Sequence, residues 1–150
     1  MRHRIAGDAD LDRLALWNHQ LIEDERADNP MSVAELRERM RGFLAGAYRA
    51  VIFEDDAGGV GYALYRPDEY GMHLRQFFVE RARRRQGLGR LAIRLLLGDA
   101  LAKDQRVKVE VFLHNERAIA FWRAVGFADH TLALIAPTGS ETPARTGSGS

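Results

Sequence analysis

The chain has 150 residues, 29% of them charged, a formal net charge of +1 and no cysteine. That length suits one domain that buries roughly 70% of its unfolded surface without a covalent staple. The missing cysteine excludes a disulfide framework, a thiolate zinc site and a cysteine nucleophile, and the near-neutral charge speaks against nucleic acid as partner.

In chain order, Arg2 to Ala6 predicts a short first strand. The basic start Met1–Ile5 lacks the apolar stretch of a signal peptide. No apolar run approaches the roughly 18 residues of a membrane helix, so a cytoplasmic protein is expected. Asp8 or Asp10 can cap a helix reaching about Asp24, with Leu11, Leu14, Leu21 and Ile22 at helical spacing. The charged stretch Glu23-Asp24-Glu25-Arg26 then leads to the breaker Asn29-Pro30. Ser32-Val33-Ala34-Glu35 reads as a capping box opening a second helix. Its apolar stripe is Val33, Leu36, Met40, Phe43 and Leu44, and Gly46 can close it.

The period then changes. Tyr48–Glu54 and Val60–Arg66 are β-rich runs around the turn Asp55–Gly59, which predicts an antiparallel hairpin. His73–Glu80 is a third run. A loop follows in which Arg81, Arg83, Arg84, Arg85 and Arg90 flank Gly87-Leu88-Gly89. Leu88, Leu91, Ala92, Leu95 and Leu96 make the next segment an amphipathic helix. Val107, Val109, Val111 and Leu113 alternate as a strand with one buried face. Asn115–Val125 is helical by pattern, and Thr131–Ala136 predicts a last strand. The sequence from Pro137 onward has almost nothing to bury, so a disordered tail is expected at 137–150 after a single domain at 1–136. The order of elements indicates an α/β domain around a mixed sheet.

The strongest local signal is the strand Phe77-Phe78-Val79, then Arg84-Arg85-Gln86-Gly87-Leu88-Gly89, then an apolar helix. The first turn of a helix carries unpaired N–H groups and a partial positive charge. Glycines let the backbone approach a pyrophosphate, and arginines add fork-shaped donors. The segment therefore reads as a phosphate cradle, with a glycine-containing turn under a solvated basic face as the plainer alternative. It is neither a P-loop, which needs Lys-Ser/Thr after the last glycine, nor the G-x-G-x-x-G dinucleotide fingerprint.

Arg84-x-x-Gly87-x-Gly89 after Val79 resembles motif A of the GNAT superfamily of N-acetyltransferases. Asn115-x-x-Ala118-x-x-Phe121-Trp122-x-x-x-Gly126-Phe127 resembles its motif B, in the family's order. The resemblance implies a single-domain GNAT fold: a mixed, mostly antiparallel sheet with splayed central parallel strands, flanked by helices. It also implies acetyl-CoA as co-substrate, no metal, a small-molecule amine as the expected acceptor, and an activity by direct attack of that amine. It leaves a homodimer open. A non-catalytic CoA-binding module and a protein N-acetyltransferase are the alternatives.

In that family the pantetheine arm lies between the splayed strands. The resemblance thus assigns CoA contacts to Phe77, Phe78 and Val79 on the strand, to Arg84, Arg85, Gln86, Gly87, Leu88 and Gly89 in the loop, and to Asn115 and Phe121 beyond. Asn115 reads equally well as a helix N-cap. A backbone N–H of the strand would stabilise the thioester oxyanion. Many family members carry a tyrosine where Trp122 stands, so a protein acid for the leaving thiolate is in doubt.

An alkyl amine is mostly protonated near pH 7, so its proton needs a base or a water path. His73, at the mouth end of the cofactor strand, is one candidate, against an ordinary strand-edge histidine. Glu23, Asp24 and Glu25, where the first helix meets the acceptor side, form another candidate group, with Glu23 and Glu25 preferred as substrate contacts, against a solvated helix end. Glu110 is weighed as a cleft or surface charge. Arg75 can face the acceptor side and would favour a substrate with a carboxylate, against a structural salt bridge. Tyr70 can line the same opening by position.

Overall fold

A computed structural model describes residues 1–101 and 104–139 of the chain. The elements are β1 (Arg2–Ile5), α1 (Leu11–Glu25), α2 (Val33–Ala45), β2 (Arg49–Asp55), β3 (Gly58–Asp68), β4 (Gly71–Val79), α3 (Leu88–Leu95), β5 (Val107–Lys108) and α4 (Glu116–Ala124). One five-stranded sheet runs β1-β2-β3-β4-β5; its first three pairings are antiparallel and β4–β5 is parallel. Among the described residues, no helix is long and apolar enough to cross a membrane.

The sheet is buried on both faces. Alternate residues of β2 and β3 supply two apolar layers, as the two-residue strand period requires. Ala50, Ile52, Tyr62 and Leu64 pack with Leu14, Trp17 and Leu21 of α1 and Met40 of α2. Val51, Phe53, Ala63 and Tyr65 pack with Ala92 and Ile93 of α3 and Leu96 just beyond it. This two-sided burial explains why Ala50 to Phe53 is apolar without alternation: all four residues have 0% exposure.

The local signals act largely as expected. Ser32 and Glu35 form the capping box of α2, with Ser32 Oγ accepting from Glu35 N and Glu35 Oε1 accepting from Ser32 N. Asp10 stands at the N-cap position of α1, but its carboxylate turns back to accept from Gly7 N and from both terminal nitrogens of Arg4. Beyond Leu95 the helix widens into a π turn, Leu96–Ala100.

Two strand expectations fail. The run Val107–Leu113 pairs only at Met72↔Val107 and His73↔Lys108, so Val109–Leu113 leaves the ladder. A bulge lies just beyond that last pair: Leu64 opposes Gln76 and Tyr65 opposes Leu74, which skips Arg75. Bulges increase local twist and turn a strand away from its neighbour. Phe121 and Trp122 of α4 then pack on Phe77, with ring centroids 6.0 and 5.5 Å away. The second failure is Thr131–Ala136, which forms no strand. Its alternation supplies β propensity, but a strand needs a paired edge for its amides. Here Leu132, Leu134 and Ile135 are 63%, 85% and 66% exposed. Of the expected tail, residues 137–139 are irregular and 140–150 lie outside the described residues.

Candidate active site

The parting of β4 from residues 109–111 opens a cleft of about 420 Å³. Leu74–Val79 form one wall, Val109–Val111 and the start of α4 the other, and Asp24 and Glu25 at the end of α1 close one side. The backbone of β4 divides between neighbours. Glu80 N donates to Val60 O at 2.7 Å. The Phe78 carbonyl is aimed at β3, lying 1.9 Å from where a Cβ on Gly61 would stand. Strand amides alternate in direction, so the N–H and C=O groups of Phe77 and Val79 turn toward the cleft.

The basic loop sits at one end. Arg85 (φ 65°) and Gly87 (φ 73°) are left-handed, and Gly87 is the N-cap of α3. A Cβ at Gly87 would meet nothing within 4 Å, so conformation and not space favours glycine there. Gly89 serves packing instead: its Cβ would stand 3.3 Å from Phe121 and 3.5 Å from Val79. Three of the five arginines hold the loop in place. Arg81 pairs with Asp24 at 3.0 Å, and Arg84 pairs with Asp24 at 2.6 Å while donating through Nε to Val79 O at 2.9 Å. Arg83 bonds Asp55 and Gly59 O. Among the described residues, Arg85 and Arg90 are exposed and join none of these pairs. Gln86 is exposed, and Leu88 packs into the layer under α3.

The other expected residues divide. Phe77, Phe78, Val79, Arg84, Asn115, Phe121, Glu25 and Arg75 line the cleft, with Glu110 and Trp122. Asn115 is also a working N-cap, its Oδ1 accepting from Ala118 N at 3.3 Å. Trp122 is held by the rings of Phe77, Phe121 and Phe127 and presents no hydroxyl. Glu23 is not brought to the cleft: half exposed, it faces His19 at 3.3 Å and Arg81 at 3.8 Å. Successive helical residues diverge by about 100°, so Glu25 can reach the cleft where Glu23 does not. Tyr70 also lies elsewhere, between the β3–β4 turn and His130, with Lys108 over its ring at 5.1 Å.

His73 sits at the last β4–β5 pair, where the strands begin to part. Its Nε2 is 3.2 Å from Glu110 Oε1, which joins it to the cleft wall. Burial pushes the imidazole below its ordinary pKa; Glu110 opposes that shift and Lys108 adds to it. His73 is therefore neutral at pH 7 and able to take a proton.

Three contributors escaped the sequence reading. Asp24 is weighed in the sequence with Glu23 and Glu25 as an acceptor-side carboxylate, but its role in fastening Arg81 and Arg84 is not foreseen. His114 bonds the Glu25 carbonyl through Nε2 at 2.8 Å, tying the end of α1 to the segment before α4. Arg39 reaches Asn18 Oδ1 at 3.1 Å. Its signal was a charge between Leu36 and Phe43 on the apolar stripe of α2. The other two depend on contacts between segments far apart in sequence.

The structure resembles several solved acetyltransferases. An aminoglycoside antibiotic 6'-N-acetyltransferase, AAC(6')-IG, from Acinetobacter haemolyticus matches with TM-score 0.72 and 18% identity over 94% of this chain and 100% of that one. A ribosomal-protein-alanine N-acetyltransferase from Brucella melitensis matches with TM-score 0.67 and 22% identity over 87% and 86%. A predicted acetyltransferase from Clostridium acetobutylicum, solved with acetyl-CoA, matches with TM-score 0.67 and 15% identity over 91% and 95%. At these identities the likeness is one of fold. No curated protein matches at the sequence level. The sequence model of the acetyltransferase (GNAT) family matches residues 12–127, and the chain belongs to that family.

Proposed function

We propose that this chain transfers an acetyl group from acetyl-CoA to the primary amine of a small acceptor. The observation that carries the reading is the open gap between β4 and residues 109–111, which leads to the N-terminus of α3. The residues suit acetyl-CoA. Phe77 turns its backbone donor and acceptor to the gap and Val79 its N–H, matching the amides of a pantetheine arm, while the Val79 carbonyl is held by Arg84. The first turn of α3, with the left-handed Arg85 and Gly87 before it, offers amides to a pyrophosphate. Exposed Arg85 and Arg90 supply positive charge beside them.

Acetyl-CoA supplies an activated acyl group. The chain's part is to hold the reactants, exclude water and move one proton. The Phe77, Phe121 and Trp122 rings form an apolar stretch of a cleft whose other walls carry charged groups. Glu25 attracts the cationic amine to the cleft edge. Glu110 and His73 form the proton acceptor: Glu110 meets the cleft and His73, neutral through burial, backs it. Trp122 offers no acidic proton, and a thiol of pKa near 8.5 needs little help to leave.

A second reading follows from Trp122: a module that binds CoA without turnover. Free-thiol release from acetyl-CoA across a panel of amines separates the two. The protein contributes no thiol of its own. Release with one amine class is expected. Binding of acetyl-CoA with no release would favour the module, and absence of binding would overturn both.

A further inference from the structure

We infer that the acceptor amine also carries a carboxylate, which Arg75 holds at the end of the cleft remote from α3, with Arg39 beside it as a second positive charge. The inference rests on the acetyltransferase reading above and names the substrate class of that site.

The bulge on β4 carries the geometry. Because register skips Arg75, this residue and Gln76 both face the α1–α2 side instead of alternating. Arg75 lines the cleft four residues before Val79, about 13 Å along the strand. Its guanidinium lies 5.0 Å from the Phe43 ring centre, and Nη1 donates to the Tyr48 hydroxyl at 3.3 Å. Arg39 comes in from α2, with its guanidinium 5.3 Å from the same Phe43 ring. Two guanidinium groups thus flank one aromatic side chain. Burial first, and then the charge of Arg75, push the Arg39 pKa down, and the partial opposition comes from tyrosines and not from a carboxylate. Like charges drawn together at a half-buried position are costly unless an anion joins them.

The hydrogen-bond inventory points the same way. Five buried side-chain polar atoms have no partner among the described residues, and four are N–H donors: Asn18 Nδ2, Arg39 Nε, Arg75 Nε and Gln76 Nε2. Of these four residues Arg75 and Gln76 line the cleft, while Arg39 and the fully buried Asn18 stand behind them. The Tyr62 hydroxyl donates to Gln76 Oε1 at 2.9 Å, which fixes that amide and leaves its buried nitrogen without a partner. The fifth atom, Gln20 Oε1, stands about 200° around α1 from Asn18. Buried polar groups are normally satisfied, so orphans of one kind identify what is missing. Here the missing partner accepts hydrogen bonds and carries negative charge. A planar carboxylate fits a guanidinium fork.

The full chain is assayed by thiol release with acetyl-CoA and paired amines: free amino acids and their carboxamides. The acids are expected to exceed the amides by about tenfold or more in kcat/KM, mainly through KM. Arg75→Gln and Arg39→Gln are each expected to bring that ratio toward one. Equal use of acid and amide by the unaltered chain would overturn the inference, as would a ratio unmoved by both substitutions. A binding measurement keeps the site separate from the chemistry. If no amine is acetylated, thermal shifts are measured with N-acetylated amino acids and their amides. Stabilisation by the acid alone, lost in Arg75→Gln, supports the carboxylate site while the acetyltransferase reading fails. Equal shifts, or none, overturn the site.

Discussion

The two sides of β4 differ. Toward β3 it pairs from Gly71 to Val79 with one bulge; toward β5 it pairs at two residues and then lets go. One side closes the fold and the other opens the site. The same strand serves both because its backbone groups alternate in direction: Phe78 and Glu80 are committed to β3, and Phe77 and the Val79 N–H are left for the cleft, with the Val79 carbonyl held by Arg84. The closed side needs close approach and continuous burial. The open side needs backbone groups kept from pairing, and the bulge at Arg75 together with the α4 aromatics keeps them so.

The contrast can be broken from either side. The largest effect is expected on the closed side, where a Cβ at Gly61 would meet Phe78 O at 1.9 Å. Gly61→Ala should destabilise by on the order of 3 kcal/mol in denaturant unfolding, since neither backbone can retreat without opening the ladder. Next comes His73, at the point where the strands part. His73→Gln should lower kcat/KM by roughly 100-fold, the lower range for a general base. In the unaltered chain activity should fall as pH drops through an imidazole pKa held below its ordinary value by burial; the variant should lack that acid limb. A limb that persists in the variant would assign the base elsewhere.

On the open side, Gly87→Glu places a carboxylate and a non-glycine residue at φ 73° before α3. It should weaken acetyl-CoA binding by roughly tenfold or more, with a much smaller change in stability. Unchanged binding would detach the loop from the cofactor. Tyr62→Phe tests the buried bond that joins the two sides. It leaves Gln76 Oε1 without its donor and should cost about 1–2 kcal/mol of stability.

The smallest effect is expected at the outer edge, where Arg4 holds the Asp10 carboxyl below the usual carboxylate range. A depressed folded pKa contributes stability above the unfolded value, near 4, and loses it as pH falls through the folded one. Arg4→Met should therefore cost under about 1 kcal/mol at pH 7, because Arg4 is partly exposed, and nothing in strong acid. A pH-independent difference would mean that packing, not charge, is what Arg4 supplies.

The sequence by itself determined whatever depends on near neighbours. The Ser32–Glu35 capping box, the turn at Asp55–Gly59, the buried run Ala50–Phe53 and the loop at Gly87 are local patterns, and each appears where the residues place it. The family was legible for the same reason: its two motifs are short and contiguous. The tertiary structure decided everything that depends on which segments meet. Strand alternation over 107–113 was real, but whether those amides pair depends on a bulge in a strand thirty-odd residues earlier. Thr131–Ala136 has β propensity and no edge to use it on. Glu23 and Glu25 are alike in the sequence, and only the rotation of α1 brings Glu25 to the cleft and leaves Glu23 at the surface. Arg39 and Arg75 stand far apart in the chain, and only the packing of α2 over β4 makes them neighbours. Charge and hydrogen-bond satisfaction are properties of a place and not of a residue type, so the acceptor end of the site became readable only once the chain had folded.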